Sequence, residues 1–332
     1  MDNNFQPTIL AHSKGSVILN ILQTIEIAAR TCYKSHDKIT DDSAEKLIKA
    51  LVMRGHESVI EHSWLVFSFD KSKFDARYLK EYFCKVFLTN NLLVLTESNQ
   101  NFVLSGNCRM FRDYFRKLKN PTEEDIFILN ELKEKIKIIF DDISLTSNLT
   151  SIEGINFSPE IQYNPEEKMK HWWAAVRMVG SRAFTHQLVR HRRCAFSQES
   201  QRYCDESGFF SNSYYIIPPT IEEANLSGDF KNKLNQINSW YLETKTMLSD
   251  SGKKLVNEDA RFLLPNAVAS EIVMSCNLEE WWWFFKMRCD IHAQWEIRQI
   301  ALEILLKFKQ IFPDCFDNIE IAPDGMSATP SQ

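Results

Sequence analysis

Arg182, His186, Arg190 and Arg193 recur about one helical turn apart and end in the run Arg190-His191-Arg192-Arg193. Residues three or four apart share a helix face, so this spacing gathers several cations in one place. Phe184, Leu188 and Val189 fall on another side, which predicts a short amphipathic helix with those three turned inward. The next residues, Ser197-Gln198-Glu199-Ser200-Gln201, change character at once. Their hydroxyl, amide and carboxylate groups can read the edge of a heterocycle by its donors and acceptors. Arg202 then returns a planar guanidinium suited to phosphate. The chemistry these types point to is capture of a small anion that carries a heterocycle. The plain alternative is a basic surface helix running into a polar loop.

The surrounding elements are those that would hold such a stretch in place. A helix is expected over 20–30, leading into Ala29-Arg30-Thr31-Cys32-Tyr33. Another follows, with Asp42 and Glu45 as a capping box, Ala44, Leu47, Ile48, Leu51 and Val52 as its buried stripe, and Gly55 as its stop. Trp64 to Phe69 and Asn101 to Gly106 read as strands, and Asn107 opens a helix. Residues 118–168 read as a helical stretch plus a long loop. Trp172 to Val179 is the strand that feeds the basic helix. Tyr214 to Ile217 reads as a short strand ended by Pro218-Pro219, and 221–250 as one long helix. Asn277 with Glu280 forms a second capping box, and Trp281, Trp282, Phe284 and Phe285 read as core. Ile300, Ala301, Ile304, Leu305 and Phe308 mark the closing helix, with a loosely attached tail over 314–332. No internal repeat and no linker is apparent, so a single domain over 1–332 is expected.

The 332 residues carry a net charge of −5, with 44% hydrophobic and 12% aromatic residues. A basic cluster on an acidic background favours a focused anion site over a nucleic-acid footprint, which spreads Lys and Arg over a face. The eight cysteines are scattered with no C-x-x-C pair, which reads as reduced thiols in a cytoplasmic protein. No apolar run approaches the ~20 residues of a membrane span. His56, Glu57, Glu61 and His62 lie close in sequence, but the histidines are not spaced i, i+4, so no metal site is expected. Only nine glycines are present, with no G-x-G-x-x-G, which argues against a Rossmann dinucleotide site.

Arg190-His191-Arg192, seven residues, then Ser200 with Arg202-Tyr203 behind and His186-Gln187 in front resembles the signature of the flavin-dependent thymidylate synthases. His56-Glu57-Ser58-Val59-Ile60-Glu61-His62 resembles that family's flavin-contacting motif, and Ala260-Arg261 with Leu264-Pro265 its phosphate-reaching element. Met287-Arg288-Cys289-Asp290 followed by His292 to Arg298 resembles its C-terminal motif. The resemblance touches 29–69, 101–113, 170–217 and 258–308 in the family's order. It implies an α+β fold, a mixed or antiparallel sheet flanked by helices, here with about 100 extra residues over 71–168. It implies a homotetramer that reductively methylates dUMP to dTMP. FAD would be the flavin, NADPH the reductant and 5,10-methylenetetrahydrofolate the carbon donor. FAD would be held by His56, Ser58, Glu61, Arg190, His191, Arg192, Asn277 and His292. The nucleotide would be held by Gln187, Arg190, Gln198, Glu199, Ser200, Gln201, Arg202, Arg261 and Arg288, with Arg288 also catalytic. Guanidinium forks can neutralise a pyrophosphate without a glycine turn.

Three departures stand out: Ala195 where Ser is expected, Ser197-Gln198 where Asn-Glu is common, and Glu279 where an arginine can contact flavin. Two other functions stay open on the sequence. One is a related flavoenzyme acting on C5 of another uridine nucleotide. The other is a non-catalytic nucleotide- or RNA-binding homologue.

Overall fold

The protein is described here by a computed structural model covering residues 6–12, 17–98, 100–145, 152–157 and 163–331. The strands are β1 (Thr8–His12), β2 (Leu65–Asp70), β3 (Val94–Glu97), β4 (Asn101–Gly106), β5 (Ile155–Phe157), β6 (Trp173–Ser181), β7 (Ala195–Gln198), β8 (Ala269–Asn277), β9 (Ile319–Ile321) and β10 (Ala328–Pro330). One antiparallel sheet runs β1-β6-β8-β7, a second runs β3-β4-β2-β5, and β9 and β10 form a hairpin. Helices cover both sheets, so the architecture is the expected α+β.

The strand β8 is buried at every position. Its apolar residues Ile272, Met274 and Cys276 pack with Trp281, Phe284, Phe285, Ile300, Ile304 and Phe308 in one core. On its other side the helix Val17–Thr31 lies against β7 and β8. Covered on both faces, β8 still carries Ser270, Glu271, Ser275 and Asn277 among its apolar residues, so it shows neither a clean alternation nor a continuous apolar run. The second core gathers β2, β4, the helices Ala76–Thr89 and Cys108–Lys117, and Glu123–Lys135. The extra residues are therefore woven into a sheet, with β3, β4 and β5 all joined to β2 or its neighbour.

Several expectations are corrected. Asp42 makes no capping bond to the helix Ser43–Met53, because its carboxylate is taken by Thr40 and Lys46. Gly55 does end that helix region, at φ +74, where a side chain would be strained. Tyr214 to Ile217 forms only an isolated bridge, Tyr215 to Val268. The helix expected over 221–250 is two pieces, Pro219–Glu223 and Ser227–Asp250, separated where Asn225 takes φ +57. The C-terminal segment is packed, not loose: Phe316 and Ile319 are fully buried and the Ala328 N–H donates to Cys289 O at 2.8 Å. Part of the loop expected within 118–168 lies outside the described residues. The reading of no internal repeat also fails. The two four-stranded sheets share one strand order, and Leu65↔Gly106 through Asp70↔Asn101 in β2–β4 match Ala174↔Cys276 through Val179↔Glu271 in β6–β8.

Candidate functional site

The basic stretch begins as a helix, but a shorter one than its spacing suggests. Ser181 caps Arg182–Leu188 by accepting from the Phe184 N–H, and Glu296 fixes that serine from below with both carboxylate oxygens at 2.6 Å. Phe184 and Leu188 are fully buried, whereas Val189 lies past the helix end and is exposed. The chain then turns, with His191 N–H donating to Leu188 O and Cys194 N–H to His191 O, and enters β7. The turn projects Arg190, Arg192 and Arg193 outward while His191 stays partly buried.

His191 is the pivot of this corner. Burial, with the Arg288 charge beside it, pulls its pKa down to about 4, so the ring is neutral. Its Nε2 accepts from Arg288 Nε at 3.0 Å, which leaves the proton on Nδ1. Arg288 Nη2 also donates to Gln187 O at 3.2 Å. Phe284 meets the imidazole edge-on, with ring centroids 5.2 Å apart. The Gln187 amide is 3.5 Å from Gln294 Oε1, and Gln294 caps the helix Trp295–Ile311. The end of the helix Leu278–Arg288 and the start of Trp295–Ile311 thus meet the basic corner, where Gln187, His191 and Arg288 come together.

The polar run divides into surface and foundation. Gln198 is tied by its amide to Thr185 Oγ1 at 2.8 Å and Ser270 Oγ at 3.2 Å. The Ser200 backbone N–H donates to Cys32 O at 3.1 Å, and Ser200 O accepts from Tyr203 and Cys204, forming a tight turn. The Gln201 amide nitrogen is buried and has no hydrogen-bond partner among the described residues. A buried unpaired donor is costly and marks a place where a ligand oxygen would be welcome. Arg202 pairs with Glu258 at 3.1 Å, while the Arg261 Nε donates to Glu258 O. Arg261 in turn adds to the effect of burial in lowering the pKa of Arg182. Three guanidiniums therefore stand in one neighbourhood beside the Ser200 turn.

Glu199 is not among the exposed groups. It is buried and pairs with Lys34 Nζ at 2.6 Å, and Lys34 also reaches Glu206 at 3.2 Å. Burial and the Glu199 charge push Glu206 up to about 8, so it keeps its proton at neutral pH. Burial opposes the Lys34 charge, but the two carboxyl groups outweigh it and hold its pKa raised. Glu271 in β8 accepts from Arg177 Nε and Nη2, each at 2.7 Å, and meets His36 at 2.7 Å, which overcome burial and bring its pKa to about 2. Lys34, Glu206, His36, Arg177 and Glu271 were not singled out from the sequence. Only Lys34, next to the quoted Thr31-Cys32-Tyr33, carried a signal by position.

A cleft of about 600 Å³ opens on the other side of the basic turn. Glu61, Arg192 and Asn277, three of the residues expected to hold flavin, line it together with Arg109, Asn107 and Glu279. Such a volume lies within the ~300–1,000 Å³ range of ligand pockets. Glu61 accepts from Arg109 Nη1 at 2.5 Å, yet burial keeps its pKa raised. Arg193 pairs with Glu280 at 3.3 Å, and among the described residues Arg192 has no ion-pair partner. Asn277 accepts from the Glu280 N–H at 3.1 Å and donates to Lys170 O at 3.2 Å. A free guanidinium, a second one held by carboxylates and three asparagines, Asn91, Asn107 and Asn277, suit a pyrophosphate and its sugar.

The remaining expected residues stand apart from the cleft's lining. His56 and Ser58 are exposed at the start of the short helix Glu57–Glu61. Arg190 is exposed, and His292 is 90% exposed with Asp290 as its partner at 2.9 Å. In the His56–His62 segment Glu57 takes Arg112 and Arg116, and both nitrogens of His62 meet serines, Ser275 at 2.9 Å and Ser197 at 3.0 Å. Among the described residues no helix is long and apolar enough to cross a membrane.

Comparison with known proteins points the same way. The family model described as thymidylate synthase complementing protein matches residues 17–79 and 161–314. A curated flavin-dependent thymidylate synthase of Nitratidesulfovibrio vulgaris is 43% identical over 139 residues, 41% of this chain and 55% of that protein. One of Clostridium tetani is 33% identical over 169 residues, covering 47% and 66%. One of Pyrococcus abyssi is 37% identical over 146 residues, covering 43% and 57%. The chain therefore spans a little over half to two thirds of the length of these relatives.

Proposed function

Because the chain belongs to the thymidylate synthase complementing family, that of the flavin-dependent thymidylate synthases, we propose that it reductively methylates dUMP to dTMP. FAD is the cofactor, NADPH the reductant and 5,10-methylenetetrahydrofolate the carbon donor. The observation that carries this reading is the junction of Arg288, His191 and Gln187 at one end of the basic turn, with the cleft holding Glu61, Arg192 and Asn277 at its other side. One turn thus serves two anionic ligands.

When bound, the flavin supplies the redox and carbon-transfer chemistry. The chain's own residues bind and orient. Arg192 and Arg190 face outward to neutralise a pyrophosphate, and Asn277 stands by for a sugar or ring edge. Arg202, Arg261 and Arg182 suit the 5′-phosphate of dUMP, and the Gln201 amide and Ser200 hydroxyl its polar edges. Arg288 reaches the pyrimidine from the basic corner, placed there by its bond to His191. Its fixed charge stabilises negative charge on the uracil as C5 becomes nucleophilic. Neither Ser200 nor a cysteine is a nucleophile here. Among the described residues Ser200 has no positioned base in contact, and burial raises the Cys204 thiol to about 11. The family resemblance implies a homotetramer in which the flavin lies between two copies of the fold.

The test is reconstitution with FAD, followed by anaerobic turnover with dUMP and, separately, UMP. A flavin absorption band and dTMP formed from dUMP support the reading. A colourless protein that cannot be loaded with FAD overturns it.

A further inference from the structure

The second sheet repeats the first strand by strand. Beyond the match of β2–β4 with β6–β8, Val94↔Ser105 through Glu97↔Phe102 in β3–β4 match Ala195↔Ser275 through Gln198↔Ile272 in β7–β8. Helix Ala76–Thr89 follows β2 as Arg182–Leu188 follows β6, and asparagine-capped Cys108–Lys117 follows β4 as asparagine-capped Leu278–Arg288 follows β8. The sequence keeps a trace: Val103-Leu104-Ser105-Gly106-Asn107 against Val273-Met274-Ser275-Cys276-Asn277, and His62-Ser63-Trp64 against His171-Trp172-Trp173.

The two copies exchange parts. His62, before the first strand of copy one, bonds Ser275 and Ser197 of copy two. His171, before the first strand of copy two, bonds Ser105 at 2.8 Å and Thr96 at 2.6 Å in copy one. In the strand registers Ser105 corresponds to Ser275 and Thr96 to Ser197, so the four bonds are related by a two-fold operation. The edge strands cross in the same way, β1 joining β6 and β5 joining β2. Residue i meeting j while j′ meets i′ is the relation of a two-fold dimer, here within one chain.

The copies have kept different chemistry. Where copy two has Arg190, His191 and Arg192, copy one has Thr89, Asn90 and Asn91, and where copy two has Arg288, copy one has Leu118. Conversely, Glu61 of copy one faces the correspondence of Lys170, and Arg109 that of Glu279. The cleft lies at the axis, since Asn91 and Arg192, Asn107 and Asn277, and Arg109 and Glu279 all line it as related pairs. We infer that residues 56–118 are a degenerate second copy that serves as the partner of the signature-bearing copy inside the same chain. Glu61 and Arg109 from copy one and Arg192 from copy two then hold one flavin dinucleotide per chain, with Arg109 standing in for the cation that Glu279 lacks. Arg109 is preplaced at the wall by Glu61 and Asp113, and its side chain is 41% exposed. The related position, with Lys170 and Thr89-Asn90-Asn91, has lost both its carboxylate and its arginines.

This inference rests on the flavin reading above, and a cis–trans test separates the two. One full-length variant carries Glu61→Gln and Arg109→Gln, the other Arg192→Gln, and both are co-expressed with different tags. FAD is titrated against wild type, each variant and the tandem-purified heteromer. Each variant is expected to bind FAD at least ten-fold more weakly than wild type, and the heteromer no better than its parents, because every cleft carries one damaged wall. If no heteromer forms, a wild-type monomer that binds one FAD supports the inference, and a monomer that binds none overturns it. Flavin binding regained in the heteromer, or left unchanged by either variant, overturns it while leaving the function intact. A wild-type chain that takes up no FAD overturns the function and the inference together.

Discussion

Arg288 Nε donates to His191 Nε2 at 3.0 Å, so the guanidinium that would serve the pyrimidine is aimed by the imidazole in the middle of the basic turn. The bond requires His191 to be neutral, and burial with the Arg288 charge lowers its pKa to about 4. His191, proposed for the flavin, and Arg288, proposed for the nucleotide, are thereby one mechanical unit.

Arg288→Lys removes the planar fork and cannot keep both the His191 and Gln187 O bonds. Loss of one preorganised donor typically costs ~10²–10³ in turnover. The variant is expected to fold, bind FAD and be reduced by NADPH, yet make dTMP at least ~100-fold more slowly. Wild-type dTMP formation at saturating dUMP would remove Arg288 from the chemistry.

His62 and His171 are both buried, and burial brings each down to about 3, with Lys170 adding to the effect at His171. Below the unfolded value near 6.5 the unfolded chain binds protons that the folded one refuses, so stability is lost as pH falls through that window. Each histidine adds up to ~1.4 kcal/mol per pH unit there. Urea midpoints measured from pH 7.5 to 4.5 should drop steeply below about 6.5. A flat profile would mean that these histidines are not held neutral.

Glu206 has the opposite sign. Its pKa is raised to about 8, so its stabilising contribution is complete below the unfolded value and is lost as pH rises through 8. Glu206→Gln mimics the protonated acid. It should raise the urea midpoint at pH 9 relative to wild type and change little at pH 5. A loss of stability at both pH values would show that Glu206 acts as a carboxylate.

How much of this was legible in the sequence depends on what each residue must do. The strands β2, β4 and β6 were readable because each carries a short apolar core, Leu65-Val66-Phe67, Phe102-Val103-Leu104 and Trp173-Ala174-Ala175-Val176, and Gly55 because its φ demands glycine. Asp42 misled because a capping carboxylate can be drawn to Thr40 and Lys46 instead. Glu199 looked like a ligand-reading group, whereas it is buried beneath the Ser200 turn by Lys34, a partner 165 positions away that no local pattern links to it. The duplication was hidden because, beyond a few shared residues such as His62 and His171 or Ser105 and Ser275, the two copies retain backbone register and little side-chain identity.

Ser200→Ala should weaken dUMP binding while turnover at saturating dUMP stays measurable, since the turn is held by the Ser200 backbone to Cys32 O and does not need the hydroxyl. A KM rise with kcat within a few-fold of wild type is the expected pattern for a residue that binds ground and transition states alike. A covalent adduct between Ser200 and the pyrimidine, seen by mass spectrometry, would contradict it.

The central claim is tested most directly by one anaerobic assay: the FAD-loaded chain with dUMP, NADPH and methylenetetrahydrofolate, with nucleotides resolved by chromatography. The account predicts dTMP that grows with time and disappears when either FAD or the folate is left out. A flavin-loaded, folded chain that consumes NADPH but leaves dUMP unmethylated would contradict it.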